Sequence, residues 1–587
     1  MIIRRHYFFL LLILLFALAF RLIGLDWDQD QHLHPDERFL TMVGTAVTWP
    51  VSLSQYFNTA TSPANPHNQN FGFYVYGTYP VLLVKALSGA FQLADYSHLP
   101  LFGRAVSAIL DTGTVLLVFF LATLIFSSPK TGLWSAAAYA VSVLPLQLSH
   151  FFAVDPYLVF FLTLSFLFFL LFYYSFPSPK SHLFIILTGL SFGLAAGAKI
   201  SGLIFGFTLV LGFAVLLIRQ RKFFPLFFAG LLLIFFFFLS LRINFPYLFS
   251  DPRFFTVSLN PKVLANWREL EFESQPNHFA PPSTQWIHLA KGWFPFINLV
   301  FVGLGLPLAV AVFLGLILAL KTRFRLPGVY LSLFFILSLF VYQSLQFSQP
   351  LRYYYPLYPF LAIFAGLALS RLKWFFALLV SLLILIWPAS FLTIYTRPHS
   401  RVTASAWIYA HIPPGSTLSC EYWDDCLPLS FPGYSGSRYN ILQLEPYAAE
   451  SPQKWAKFIP TLSQVDYLVL SSNRLYASIT SDPDYYPQTT RFYQDLFAGK
   501  LGFTKIAEFT SRPNLPLPGL HACFALPFLS YGKIAASSDC PLPGLSFIDD
   551  YADETLTVYD HPKIIIFQNT GHYSQSQILQ LITEASP

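Results

Sequence analysis

The sequence predicts a polytopic α-helical membrane protein that ends in a soluble α/β domain, and three observations predict it. Of the 587 residues, 55% are hydrophobic and only 11% charged, with 65 Phe and a mean hydropathy of +0.55, a composition foreign to soluble globular chains. Uncharged runs of near-spanning length recur up to about Leu392, and none follows. Lys and Arg cluster in the short loops between those runs, where they orient a membrane protein, so the net charge of +6 asks for no nucleic-acid partner.

The first run, about Tyr7 to Leu25, follows Arg4 and Arg5 as a secretory signal would. It reads instead as a membrane helix, because it is long enough to span and no small-residue cleavage site precedes Asp26. Further spans are predicted near 103–126, 133–150, 155–174, 182–198, 201–218, 224–241, 294–320, 328–345, 356–370 and 374–392, about eleven in all. The loops carrying Lys130, Lys180, Arg219 to Lys222, Lys321 to Arg325 and Arg371 to Lys373 fall on one side in alternation. The N-terminus is therefore expected in the cytoplasm and the C-terminal domain outside. The apolar stretch 74–93 reads as an interfacial helix, since Lys85 interrupts it and a span there would spoil the alternation. The domains follow as 1–392, with outer loops 26–102 and 242–292, and 393–587.

With that topology the conspicuous charges share the outer face. His34-Pro35-Asp36-Glu37-Arg38 opens the first outer loop, Ser149-His150 leads to Asp155 at a helix start, Lys199 tips a short hairpin, and Arg352 precedes Tyr353 and Tyr354. Each has a plain structural reading: Asp155 before Pro156 as a helix cap, Lys199 snorkelling, Arg352 as an interfacial anchor, the tyrosines as an aromatic belt. Three acids and at least three cations on one membrane face favour a functional site instead.

Those residues, together with Arg21-Leu22-Ile23-Gly24-Leu25, Arg104 to Thr112, Gly197-Ala198-Lys199 and Arg352 to Pro359, resemble the polyprenyl-phosphate-dependent membrane glycosyltransferases of family 39, which have the GT-C fold. The resemblance spans residues 1 to about 392. It implies transfer of a sugar from a polyprenyl-phosphate carrier to a hydroxyl of a protein, lipid or glycan on the outer side of the cell membrane. It assigns Asp36 as the catalytic base, Glu37 as the neighbour that orients it, and Asp155 as the residue positioning the acceptor. Lys199 becomes a phosphate contact, with Arg38 and Arg352 as further phosphate candidates; His34, His150, Tyr353 and Tyr354 are left as acceptor-binding or structural.

The chemistry is coherent without the family. A phosphate leaving group needs charge stabilisation rather than protonation, so one carboxylate suffices to take the acceptor proton. Single displacement inverts the anomeric carbon, and adjacent Asp36 and Glu37 do not readily flank a glycosidic bond as a hydrolase pair does. Asp36, Glu37, Asp155, His34 and His150 are a weak donor set for a divalent cation, being irregularly spaced and without cysteine, so metal is left unassigned. Two other readings stand beside the enzyme: a transporter or flippase of lipid-linked sugars, expected to show broken helices in corresponding halves, and a non-catalytic envelope assembly protein, which leaves the clustered charges unexplained.

Beyond Leu392, Pro, Ser, Asp and Tyr increase. Helices are predicted near 401–411 and 487–499, strands near 417–423, 465–471 and 503–510, and a terminal hairpin across 555–568 that turns at Asp560 to Pro562. Alternating elements give a small α/β layer domain of about 190 residues. All four cysteines lie here; of three available pairings, Cys420–Cys426 with Cys523–Cys540 is the simplest.

Overall fold

The computed structural model describes residues 2–278, 280–537 and 540–583. Among them, eight helices are long and apolar enough to cross a membrane, and the pair Trp293–Leu304 and Leu306–Thr322, bent by 111°, makes a ninth. These are nine of the eleven expected spans. The other two are short helices buried within the bundle: 133–150 breaks into Pro129–Ala140 and Val143–Ser149, and 356–370 is the helix Tyr358–Leu369 after a 3-10 turn over Leu351–Leu357. The stretch 74–93 forms the short apolar helix Tyr79–Ala90, too short to span, with Lys85 donating to the Gly44 carbonyl at 2.8 Å.

Lipid supplies no hydrogen bonds, so the buried polar groups of the bundle pair with one another. Asp111 accepts from Arg21 at 2.6 Å, from the Tyr139 hydroxyl at 2.5 Å and from the Tyr355 hydroxyl. One carboxylate thereby joins the first helix, Leu99–Phe126, Pro129–Ala140 and the 351–357 turn. The helix Lys180–Ala198 runs closely against Phe223–Asn244, and a Cβ on Gly197 would stand 1.7 Å from the Asn244 side chain. Gly77 meets the carbonyl of the same Gly197, where its own Cβ would clash at 1.7 Å. Two glycines thus let the segment holding Tyr76 lie directly against the helix that ends at Lys199.

After the last span, a five-stranded sheet forms in the order β2-β1-β3-β8-β4, with β1 Thr417–Glu421, β2 Asn440–Leu444, β3 Tyr467–Leu470, β4 Phe503–Phe509 and β8 Ile564–Asn569. β1 pairs parallel with β2 and β3, while β8 is antiparallel to both neighbours. Alternate residues face opposite layers. Leu468, Leu470, Ile565 and Phe567 pack on the helices Pro452–Gln464 and Pro487–Phe497, and Val469, Ile564 and Ile566 pack on Ser400–His411. A second sheet, β5 Asn514–Leu515, β6 His521–Ala525 and β7 Gly544–Ile548, runs in the order β5-β7-β6. Cys420 bonds Cys426 and Cys523 bonds Cys540.

The expected terminal hairpin is absent. Residues Glu554–Thr557 are a short helix, and Ile564 to Phe567 form an inner strand whose unbroken apolar run reflects burial on both faces. Asp560 and His561 belong instead to an ionic cluster. The His561 ring sits 2.5 Å from Asp560 and 3.0 Å from Asp549, and Asp560 also accepts from Tyr395 at 2.8 Å and Gln147 at 3.0 Å. Burial lowers the His561 pKa, but the two carboxylates overcome it and raise the ring to about 10. A raised value stabilises the fold fully below the unfolded value of 6.5 and loses that contribution as pH rises through about 10. Thermal unfolding of the purified protein should therefore show a melting temperature that declines over that window, with His561→Gln flattening the decline; an unchanged slope in the variant would count against it.

Candidate active site

The site begins at the helix Pro35–Ala46. His34 caps it, its Nδ1 accepting the Glu37 N–H at 3.3 Å, and Pro35 occupies the first turn, where no N–H is needed. Asp36 and Glu37 therefore stand in a first turn whose dipole favours carboxylates. Consecutive helical residues point about 100° apart, and these two diverge completely.

Asp36 faces a cavity of about 380 Å³. It is ion-paired there with Arg352, and across the cavity Lys199 Nζ lies 2.9 Å from Asp155. The Tyr353 ring connects the two pairs, with Lys199 Nζ 4.7 Å and Arg352 Cζ 5.6 Å from its centroid, cation–π contacts that fix both cations. Asp36, Asp155, Lys199, Arg352 and Tyr353 thus line one cavity. Burial alone would raise the Asp36 carboxyl, but Arg352, His34 and Lys199 hold it down at about 2. Two carboxylates and two cations are thus paired with each other along one side of the cavity. Its other wall is apolar, formed by Leu158, Leu162, Phe335 and Leu339.

Sequence reasoning missed Tyr76, Trp267, Glu273 and Gln343, which also line the cavity. Trp267 and Glu273 belong to the helix Pro261–Glu273 of the loop 242–292. That loop is tied to the C-terminal sheet region: His278 and His288 hold Asp482 at 2.7 and 2.9 Å, and Thr284 meets the Tyr447 hydroxyl at 3.1 Å. The Pro- and Trp-rich composition of the loop was the only signal that pointed to it.

The remaining predicted site residues face elsewhere. Glu37 is fully buried and grips Arg104 through both oxygens, one at 3.0 Å, while accepting the Phe152 N–H at 2.8 Å. Arg104 also pairs with Asp28 at 2.9 Å and lies 4.9 Å from the Trp27 ring. Glu37 therefore orients the loop rather than reaching the cavity. Arg38 donates to the His32 carbonyl at 2.7 Å and to Asp425 at 2.9 Å, a link to the C-terminal domain instead of a phosphate contact. His34 is buried between Phe151 and Tyr559, rings 4.4 and 4.3 Å away, and burial pushes it down to about 4. His150 stacks on Tyr395 at 3.8 Å with its nitrogens 2.7 and 3.0 Å from the Leu146 and Ile23 carbonyls. Tyr354 is buried against Phe340 and reaches Ser344 at 3.3 Å. Among the described residues, no three His, Cys, Asp or Glu side chains are placed to hold a metal ion, so the donor set weighed from the sequence does not fit one.

The C-terminal domain supports residues behind the cavity. Asp553 accepts the N–H of Leu351, next to Arg352, at 2.5 Å, and its own N–H donates to Asn298 at 2.9 Å. Tyr559, besides stacking on His34, lies close enough to Arg352 and Asp36 to feel both charges; burial and that field set its hydroxyl at about 12.

Residues 56–245, or 190 of 587, match the family described as dolichyl-phosphate-mannose-protein mannosyltransferase. The matched segment holds Asp155 and Lys199, while Asp36 and Arg352 lie outside it. No curated protein matches the chain. Among solved structures, ArnT from Cupriavidus metallidurans bound to undecaprenyl phosphate is 15% identical over 68% of this chain and 72% of that one, with a TM-score of 0.43. The Archaeoglobus fulgidus oligosaccharyltransferase tethered with an acceptor peptide is 13% identical over 86% and 73%, at 0.48. The S. cerevisiae Pmt1-Pmt2 complex bound to the sugar donor is 18% identical over 42% and 35%, at 0.32. The resemblance read from the sequence is borne out by the family match: over residues 56–245 this multi-pass chain carries the signature of the dolichyl-phosphate-mannose-protein mannosyltransferases, a family of membrane glycosyltransferases.

Proposed function

We propose that this protein moves a sugar from a polyprenyl-phosphate carrier to an acceptor hydroxyl of a protein, lipid or glycan, on the outer face of the cell membrane and with inversion. The observation that carries the reading is one cavity in which the ion pairs Asp36–Arg352 and Asp155–Lys199 face membrane-helix side chains along the wall. An isoprenoid chain suits the apolar wall, and its phosphate suits Lys199 and Arg352. The expected orientation, cytoplasmic N-terminus and extracytoplasmic C-terminal domain, puts this cavity on the outer side. The division at about residue 392 is part of the same proposal.

Asp36 is the base and Asp155 positions the acceptor. The acceptor hydroxyl gives its proton to Asp36 as its oxygen bonds to the anomeric carbon. The bond from that carbon to the phosphate oxygen breaks, and the phosphate departs with the electron pair, stabilised by Lys199 and Arg352. A carboxyl held at about 2 is a poor base. The arriving phosphate competes for Arg352, and as that pairing loosens Asp36 becomes more basic, so the base is unmasked when the donor is in place. No metal step is included. A transporter would call for broken helices in corresponding halves, and the paired charges in one cavity favour the enzyme reading over it.

Release of polyprenyl phosphate from a panel of lipid-linked sugars by the detergent-purified protein, with membrane extract as acceptor, tests the reading. Lys199→Met, losing a charge-assisted contact of about 1.5–3 kcal/mol, should weaken donor binding roughly 10- to 100-fold, seen mainly in KM. Absence of turnover with every donor would overturn the function; an unchanged KM would remove Lys199 from the phosphate site.

A further inference from the structure

We propose that the small sheet β5-β7-β6, with the loops around it, is seated in the membrane surface, so that the outer domain rests on lipid through Leu517, Leu520, Phe524 and Phe528. Sequence gives the first indication. Residues 513–532 contain no Lys, Arg, Asp or Glu, although they lie far beyond the last span.

The contacts give the depth. The helix Trp374–Leu392 starts just after Lys373, and Trp387 lies thirteen residues along it, about 20 Å at 1.5 Å per residue. That is short of the ~30 Å hydrocarbon thickness of a bilayer. Trp387 is buried, donates to the Val302 carbonyl at 2.7 Å, and meets the Phe547 ring of β7 with centroids 5.3 Å apart. Phe547 meets Phe524 of β6 at 6.3 Å. This aromatic row starts inside a membrane helix and ends on a side chain 54% exposed. A parallel contact runs from Phe301, in the segment that turns by 111° at the Gly305 break, to Phe528 at 5.6 Å, and Phe528 is 71% exposed. Asn514 of β5 donates to Thr393 at the outer end of the same span at 3.2 Å.

Phe524 and Phe528 are thus continuous with side chains at membrane depth, Leu517 and Leu520 are exposed in the same uncharged stretch, and lipid is the medium that surrounds those helices. An exposed apolar patch marks an interaction surface, and its continuity with membrane-helix side chains makes lipid the partner. Seated there, the sheet sets the height at which the outer domain stands above the bilayer.

All four native cysteines are in disulfides, so an introduced cysteine in the full-length protein takes a nitroxide label selectively. Phe528→Cys and, separately, Leu520→Cys are to be labelled in nanodiscs of phosphatidylcholine and phosphatidylglycerol, with Tyr434→Cys as a label on an exposed site of the outer domain. Spin relaxation by oxygen should exceed relaxation by a water-soluble nickel chelate several-fold at 520 and 528, with the order reversed at 434. Nickel access at 520 and 528 equal to that at 434 would overturn the proposal. Shielding from both reagents would do so as well, since it would mean that a second copy or another protein covers the patch. Leu520 precedes β6 and Phe528 follows it, so each label reports on its own end of the strand, and either one found in water overturns the contact there.

Discussion

Asp36→Asn should abolish sugar transfer, lowering kcat by at least the 10²- to 10⁴-fold that a positioned general base contributes, without unfolding the protein. The carboxylate is 31% exposed and its partner Arg352 20%, so loss of the pair costs little stability in a partly solvated setting. The isosteric amide also frees Arg352 from competition. Donor affinity should consequently hold or tighten while turnover disappears, an opposition that a merely structural role would not produce. Donor binding by the purified variant, measured beside polyprenyl-phosphate release, checks both halves. Turnover equal to that of the wild type would move the base elsewhere, with Asp155 the next carboxylate in the cavity.

Glu37→Ala should have the opposite character, a large loss of stability and no direct effect on chemistry. It leaves Arg104 buried with Asp28 as its one remaining carboxylate and the Phe152 N–H without its acceptor. Removing one member of a buried, hydrogen-bonded ion pair typically costs about 3–5 kcal/mol. The expected readout is a marked fall in melting temperature and in the yield of monodisperse protein, with the folded fraction at low temperature keeping its kcat. A stable, inactive Glu37→Ala would instead return Glu37 to the reacting centre. Two neighbouring carboxylates are thus separated by which way one turn of helix directs them.

That pair marks where the sequence stops being readable. Asp36, Asp155, Lys199 and Arg352 were legible because a charge at the end of an apolar run is costly in a chain with so few charges, and topology alone puts all four on one face. Direction was not legible. Glu37 and Arg38 owe their placement to Arg104 and Asp425, and the second of these is 387 positions away in sequence. Trp267 and Tyr76 have no charge to single them out among 11 Trp and 32 Tyr. Among the spans, periodicity identified apolar length well, but not the break at Val141 and Ser142 that divides 133–150. In the C-terminal domain the run Ile564 to Phe567 reads from sequence as one arm of a hairpin, since a short apolar segment does not disclose that strands flank it on both sides.

The grip of Asp553 on the backbone beside Arg352 has a consequence for how this chain can change over time. The residue that sets the cation's ledge, the tyrosine that backs His34 and the aspartate that holds Arg38 all come from the last third of the sequence. A C-terminal domain exchanged for another by recombination would arrive without those three fittings and leave the membrane half miscut beside its own cavity. New acceptors are therefore more readily reached by small substitutions in the loops over the cavity than by wholesale replacement of the part that stands above it.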